Sequence, residues 1–312
     1  MRRTVWTLAG LLTAVTLVIA GCSGGSDSGD GKPTVVTSTN VWGSVAAAVA
    51  GDKATVTALY TNADGDPHEF EPSAADTASI VDADVVVLNG GGYDAYMEKA
   101  SAGTDSAVVN AFSLLGHGDG TEHDHESGHH HDHGVINEHV FYDLAVVAQV
   151  ADKIAAALGE KDSANADAYK ANAAAFTGQI TTLRDKLAAI KTAHDGTKVA
   201  QTEPLAGYLL TEAGLVDASP AGFTQSVEEG NSPAAADIAA MQDLLKNRTV
   251  RAFIYNTQAV DAVTKQMLPI AEGAGVPVLR FTETLPDGVT SYIAWQTAQI
   301  DALAAALAEP AR

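Results

Sequence analysis

Residues 163–192 run without a proline and with a single glycine, Gly178. Tyr169, Ala173, Phe176, Ile180, Leu183, Leu187 and Ile190 step by three or four, which draws one apolar stripe down one face. The spacing predicts one amphipathic helix about 45 Å long, close to the breadth of a protein of this size. On both sides of it, short β-rich runs alternate with helical patterns. Strands are expected at 34–38, 55–60, 85–89 and 107–110 before it, and at 198–202, 252–256 and 276–282 after it. Helices are expected at 41–50, 73–81, 141–158, 233–246, 261–274 and 291–308. Such alternation builds parallel sheets covered by helices. The expected fold class is therefore α/β, with two parallel-sheet lobes joined by one long spine helix. The N-terminal lobe takes residues 34–160, the linking helix 161–194 and the C-terminal lobe 195–312.

The first residues concern location. Arg2 and Arg3 precede an apolar run from Val5 to Ala20, which has the length of a signal-peptide core and is short for a membrane span. It ends in Ile19-Ala20-Gly21-Cys22, and Cys22 is the only cysteine, so no intramolecular disulfide or thiolate cluster can form. Small residues before a cysteine resemble a bacterial lipobox. That resemblance implies a lipoprotein signal peptide over 1–21, cleavage before Cys22 and a lipid anchor on its thiol. Residues 22–33, rich in Gly, Ser and Asp, read as a flexible tether. The protein is expected outside the cytoplasmic membrane, held there by its lipid.

Charge narrows the partners. The chain has 39 acidic and 18 basic residues, a formal net charge of -21, and cleavage would remove two arginines and no acid. Such a surface repels phosphate backbones and anionic headgroups, which argues against nucleic acid and favours cations. Residues 116–134 (GHGDGTEHDHESGHHHDHG) hold seven of the ten histidines: His117, His123, His125, His129, His130, His131 and His133. With no apolar residue to bury, the stretch reads as an exposed loop whose imidazoles and carboxylates bind transition metals weakly and interchangeably.

Three histidines remain. His68 follows an expected strand, His139 opens an expected helix, and His194 lies in a turn-like His-Asp-Gly. Glu203 and Glu283 each end a β-rich run. In parallel α/β sheets, ligands bind beyond the carboxyl ends of the strands, and His68, Glu203 and Glu283 occupy such positions. A cleft between lobes could collect them into a metal site.

These residues sit in blocks with a resemblance. Asp66-Pro67-His68-Glu69-Phe70-Glu71-Pro72-Ser73 and Ala83-Asp84-Val85-Val86-Val87-Leu88-Asn89-Gly90 resemble the N-terminal signature of cluster A-I solute-binding proteins, the ZnuA/TroA-like receptors of zinc and manganese ABC importers. The histidine-rich insert, Asn137-Glu138-His139-Val140-Phe141, the spine helix, Thr202-Glu203-Pro204-Leu205-Ala206-Gly207-Tyr208 and Thr282-Glu283-Thr284-Leu285-Pro286 extend it over residues 34–308. The resemblance implies metal ligands at His68, His139, Glu203 and Glu283; a nearby acid, Glu228 or Glu229, is the alternative that would complete the shell in place of Glu283. At Glu203 zinc-specific members usually carry histidine and manganese-type members glutamate; at Glu283 many carry aspartate. Two imidazoles and two carboxylates hold tetrahedral Zn²⁺ and also suit Mn²⁺. The histidine-rich insert tips the expectation to zinc.

The resemblance further implies a monomeric receptor that hands its ion to an ABC importer permease with its ATPase subunits. The spine helix would keep hinge motion modest. An extracellular zinc hydrolase would need an open coordination position and a general base. No helix carries His-Glu-x-x-His and no nucleophile elbow joins a strand to a helix, so no enzyme is expected. A cell-surface metal buffer or adhesin would share the anchor and the loop but need no permease.

Overall fold

The computed structural model describes residues 31–116 and 137–308. Cys22 and the seven histidines of residues 117–133 lie outside them.

The first half reads β1 (Thr34–Thr39), α1 (Asn40–Ala50), β2 (Thr55–Tyr60), α2 (Ala74–Val81), β3 (Val85–Leu88), α3 (Ala95–Ser101), β4 (Ala107–Asn110) and α4 (Leu144–Lys161). Then comes α5 (Ala166–His194). The second half reads β5 (Lys198–Gln201), α6 (Gly207–Glu212), β6 (Val216–Asp217), α7 (Ala221–Glu228), α8 (Ala235–Lys246), β7 (Phe253–Asn256), α9 (Ala262–Ala274), β8 (Val278–Phe281) and α10 (Tyr292–Ala308).

The strands form two four-stranded sheets with the orders β2-β1-β3-β4 and β6-β5-β7-β8. Every pairing is parallel, with Val35 opposite Val85 in the first sheet and Phe253 opposite Val278 in the second. The expected pair of parallel sheets is thus present. β3 is a continuous Val-Val-Val-Leu run, buried throughout, as a strand covered on both faces must be. In each sheet the strand order reverses beside the first strand, and such reversals open a crevice at the carboxyl ends.

The long helix is a single α5. All seven stripe residues from Tyr169 to Ile190 are buried. A Cβ built on Gly178 meets nothing within 4 Å, so this glycine sits in open space. It costs about 1 kcal/mol of helix propensity relative to alanine, less than the buried stripe supplies. The helix starts at Ala166 because Ser163–Asn165 form a 3-10 turn first. A second 3-10 turn, Val140–Tyr142, precedes α4, and the Asp143 carboxylate caps that helix by accepting from the Ala145 and Val146 amides.

Both sheets rest on one core. A continuous apolar cluster runs from Val35 and Trp42 through Tyr169, Phe176 and Leu187 to Ile254, Leu279, Trp295 and Leu303. Smaller clusters line the outer face of each sheet, around Ile80 and Met97 in the first and Phe223 and Met267 in the second. Hydrogen bonds cross between the halves: the Leu285 amide donates to Asn40 Oδ1 at 2.9 Å, and the Tyr292 amide to Ser44 Oγ at 2.8 Å. The elements without a sequence expectation, α3, α6, α7 and β6, are all short. Segments of that length hold through tertiary packing rather than through periodicity. Among the described residues no helix is long and apolar enough to cross a membrane.

Candidate metal centre

Each candidate ligand sits on a turn with its own local cause: Glu203 and Glu283 just past a strand, His68 and His139 on or beside a 3-10 turn. Asp66 accepts from the His68 amide at 2.8 Å and, with Pro67, sets the 3-10 turn Pro67–Glu69 beyond β2. His139 stands at the start of Val140–Tyr142. Asn137 Oδ1 accepts from the His139 amide at 3.0 Å and lies 3.0 Å from its Nδ1. Asn137 is itself held by the second half of the chain: its Nδ2 donates to the Pro204 carbonyl at 2.9 Å, and Tyr208 Oη donates to its carbonyl at 2.6 Å. That approach explains Gly207, where a Cβ would lie 2.7 Å from Asn137 Nδ2. With the Nδ1 hydrogen directed to Asn137 Oδ1, Nε2 is the ring nitrogen that faces the acids and is available to an ion.

Glu203 and Glu283 follow β5 and β8 by two residues each. Asn256, at the end of β7, joins them: its Nδ2 donates to Glu283 Oε1 at 2.7 Å and also to Glu203 Oε1. Gln258 fixes the Glu283 turn, its Oε1 accepting from the Glu283 amide at 2.6 Å and the Thr284 amide at 3.1 Å, while its Nε2 donates to the Gly65 carbonyl at 3.0 Å.

His68, His139 and Glu283 come together. Glu283 Oε2 lies 3.3 Å from His68 Nε2 and 3.6 Å from His139 Nε2, and accepts from Tyr93 Oη at 2.9 Å. One donor atom from each of His68, His139 and Glu283 lies within 4.8 Å of the other two. Glu203 enters a second, overlapping set with His139 and Glu228, within the same distance. The four expected ligands therefore fall into two donor sets sharing His139. Glu229 is exposed and belongs to neither set. His194 ends α5 and joins no donor set.

The cluster is largely buried, and its charges act on one another. His139 and Glu283 side chains are wholly buried, and Glu203 is 2% exposed. Burial alone would lift the Glu283 carboxyl, but the two imidazoles beside it hold it well below the usual carboxylate range. Glu203 goes the other way: burial, then repulsion from Glu283 and Glu228, pushes it well above that range. Burial works against a charged His68, yet Glu283, Glu138 and Glu228 raise it to about 10. His139 is also raised, since Glu228 and Glu283 outweigh its burial. Carboxylates clustered around two imidazoles favour positive charge between them, and a divalent cation supplies it without protons.

Tyr93, Asn256, Gln258 and Glu138 had no sequence signal of their own. Glu138 Oε1 lies 3.3 Å from His68 Nδ1, on the side of the ring away from Glu283. A carboxylate on the outer nitrogen of a metal-binding imidazole fixes its orientation and basicity. Glu138→Gln is expected to weaken metal affinity by roughly 10- to 100-fold. Competitive titration of the purified variant measures this, and an unchanged affinity would remove the role.

The chain has relatives of known kind. Residues 35–306 match the sequence family described as "Zinc-uptake complex component A periplasmic". The zinc-binding lipoprotein AdcA of Streptococcus pneumoniae is 28% identical over 291 residues, covering 89% of this chain. The chain spans 55% of that relative's length. The high-affinity zinc uptake system protein ZnuA of Bacillus subtilis is 28% identical over 314 residues, covering 96% of each chain. Among solved structures, the solute-binding protein FpvC of Pseudomonas aeruginosa in complex with Mn²⁺ superposes with a TM-score of 0.68 at 25% identity, covering 88% of this chain and 98% of that one. With the match running from β1 into α10, the chain belongs to the family of the periplasmic component A of zinc-uptake complexes.

Proposed function

We propose that the protein is an extracytoplasmic zinc receptor that captures the ion between its two sheets and delivers it to an ABC importer permease. The observation carrying this reading is the His68–His139–Glu283 set, whose donor atoms converge in a buried pocket with Glu203 beside them. The acidic chain concentrates cations near the pocket. The imidazoles and carboxylates take the ion as protons leave, and with four protein ligands no coordination position remains for a catalytic water. The continuous core under both sheets supports a modest hinge, so release would fall to the permease distorting the site. Lipid attachment at Cys22 and weak capture by the histidines of residues 117–133 complete the proposal.

Manganese is the second reading, favoured by the two carboxylates of the proposed quartet, which are harder donors than imidazole. The deciding experiment is competitive titration of the chelator-stripped protein with Zn²⁺ and Mn²⁺, beside a variant lacking residues 117–133. One tight site that survives the deletion with zinc well ahead supports the zinc receptor. Tight manganese binding reassigns the cargo, and loss of all binding with the deletion makes the protein a surface metal buffer.

The pH dependence has a definite sign. His68 must lose its proton to bind through Nε2, and in the metal-free state its pKa is raised to about 10. Affinity should therefore rise with pH up to about 10 and fade on acidification. Calorimetry in buffers of differing ionisation enthalpy should show about one to two protons released per ion near pH 7. Metal-free stability runs oppositely. The raised His68 contributes stability that is complete below its ordinary 6.5 and is lost as pH climbs through about 10. A metal affinity flat between about pH 6 and pH 8 would contradict histidine ligation.

A further inference from the structure

We propose that Glu228 is a fifth metal-binding side chain, one that widens the site beyond tetrahedral zinc chemistry and admits ions of higher coordination number. The inference rests on the receptor reading above and extends its ligand set.

Glu228 is the last residue of α7, and its side chain is only 14% exposed. Its Oε1 lies 3.7 Å from His139 Nε2. That nitrogen belongs to a wholly buried ring and has no hydrogen-bond partner, and Glu228 Oε2 is likewise buried and unpartnered. Each points to a ligand that neither atom finds in the other. One donor atom each from His139, Glu203 and Glu228 lies within 4.8 Å of the others, and the same holds for His68, Glu138 and Glu228. Glu228 is thus the acid common to the buried set around His139 and the more exposed set around His68.

The position suits a cation beside the carboxylate. A helix C-terminus carries negative partial charge, and Glu203 and Glu283 share the same pocket. A partly buried acid oxygen without a hydrogen bond adds a desolvation cost. A divalent ion between His139 Nε2 and Glu228 offsets all three effects at once.

Two imidazoles with three carboxylates form a donor set richer in oxygen than four-coordinate zinc requires. Five oxygen and nitrogen donors suit five- or six-coordinate ions, of which Mn²⁺ is the natural test. Glu228 then decides selectivity: its carboxylate contributes more to Mn²⁺, which has a larger shell to fill, than to Zn²⁺.

The test titrates wild-type protein, Glu228→Ala and Glu228→Gln with Zn²⁺ and Mn²⁺ in competition with a chromophoric chelator. A His68→Ala/His139→Ala double variant supplies the background from residues 117–133. Glu228→Ala is expected to lower Mn²⁺ affinity on the order of 100-fold and Zn²⁺ affinity less than about 10-fold. Glu228→Gln, which keeps the shape and one weak oxygen donor, should fall between. With Co²⁺ as the probe, the visible d–d absorption should intensify in Glu228→Ala as the ion drops to four ligands. Wild-type selectivity and an unchanged Co²⁺ spectrum in both single variants would overturn the fifth ligand while leaving the receptor reading intact. Binding by wild-type protein no greater than by the double variant would overturn both.

Discussion

Replacing His139 by Ala is expected to reduce Zn²⁺ affinity by roughly a hundred- to a thousandfold. A complete four-ligand zinc site has about 10–16 kcal/mol of binding free energy, so an average ligand accounts for about 2.5–4 kcal/mol. His139 should stand at the upper end. Its ring is wholly buried, and it belongs to both donor sets that contain the other proposed ligands. Asn137 holds its orientation through two contacts, so the bound geometry exists before the ion arrives. No other described imidazole can replace it, because His68 already belongs to the same donor set and His194 lies at the end of α5. Chelator competition on the variant lacking residues 117–133 isolates this effect from the histidine-rich segment. Wild-type affinity after the substitution would mean the ion binds elsewhere.

The second large effect concerns the spine. Phe176→Ala is expected to lower unfolding free energy by about 3–5 kcal/mol, the usual cost of truncating a buried phenylalanine. Phe176 is 4% exposed on α5 and its ring lies 6.0 Å from that of Tyr292 on α10. Tyr292 in turn donates from its hydroxyl to the Phe141 carbonyl at 2.7 Å, two residues from His139. Because both sheets share the core that contains Phe176, urea should still unfold the chain in one transition, displaced to lower denaturant. Two separated transitions would show that the halves fold independently. Zinc at a thousand times its dissociation constant should restore about 4 kcal/mol, since only the folded pocket binds it.

Much of the architecture was legible because it rests on periodicity. The α5 stripe was readable residue by residue, and Gly178 did not interrupt it because it faces open space. Strands such as Val85–Leu88 announce themselves as buried apolar runs. The short α6 and α7 carry no such signal, yet α7 delivers Glu228 and α6 opens at the glycine that admits Asn137. In the pocket, His68 and His139 stand out because histidines are few outside residues 116–134 and sit in distinctive blocks. Glu138, Asn256 and Tyr93 looked like ordinary polar residues at the ends of elements.

The sequence by itself determined the alternation of strands and helices, the long spine, the acidic character and the residues that could hold a cation. These are properties of local pattern and composition, which each segment carries alone. Only the tertiary structure decided which donors meet. Glu203 falls with Glu228 and His139, Glu283 falls between two imidazoles, and Glu138 backs His68. The physical reason is that these side chains come from separate strand ends, turns and a helix end in the two halves of the chain. Their distances depend on how both sheets seat on one shared core, which no single stretch of chain encodes.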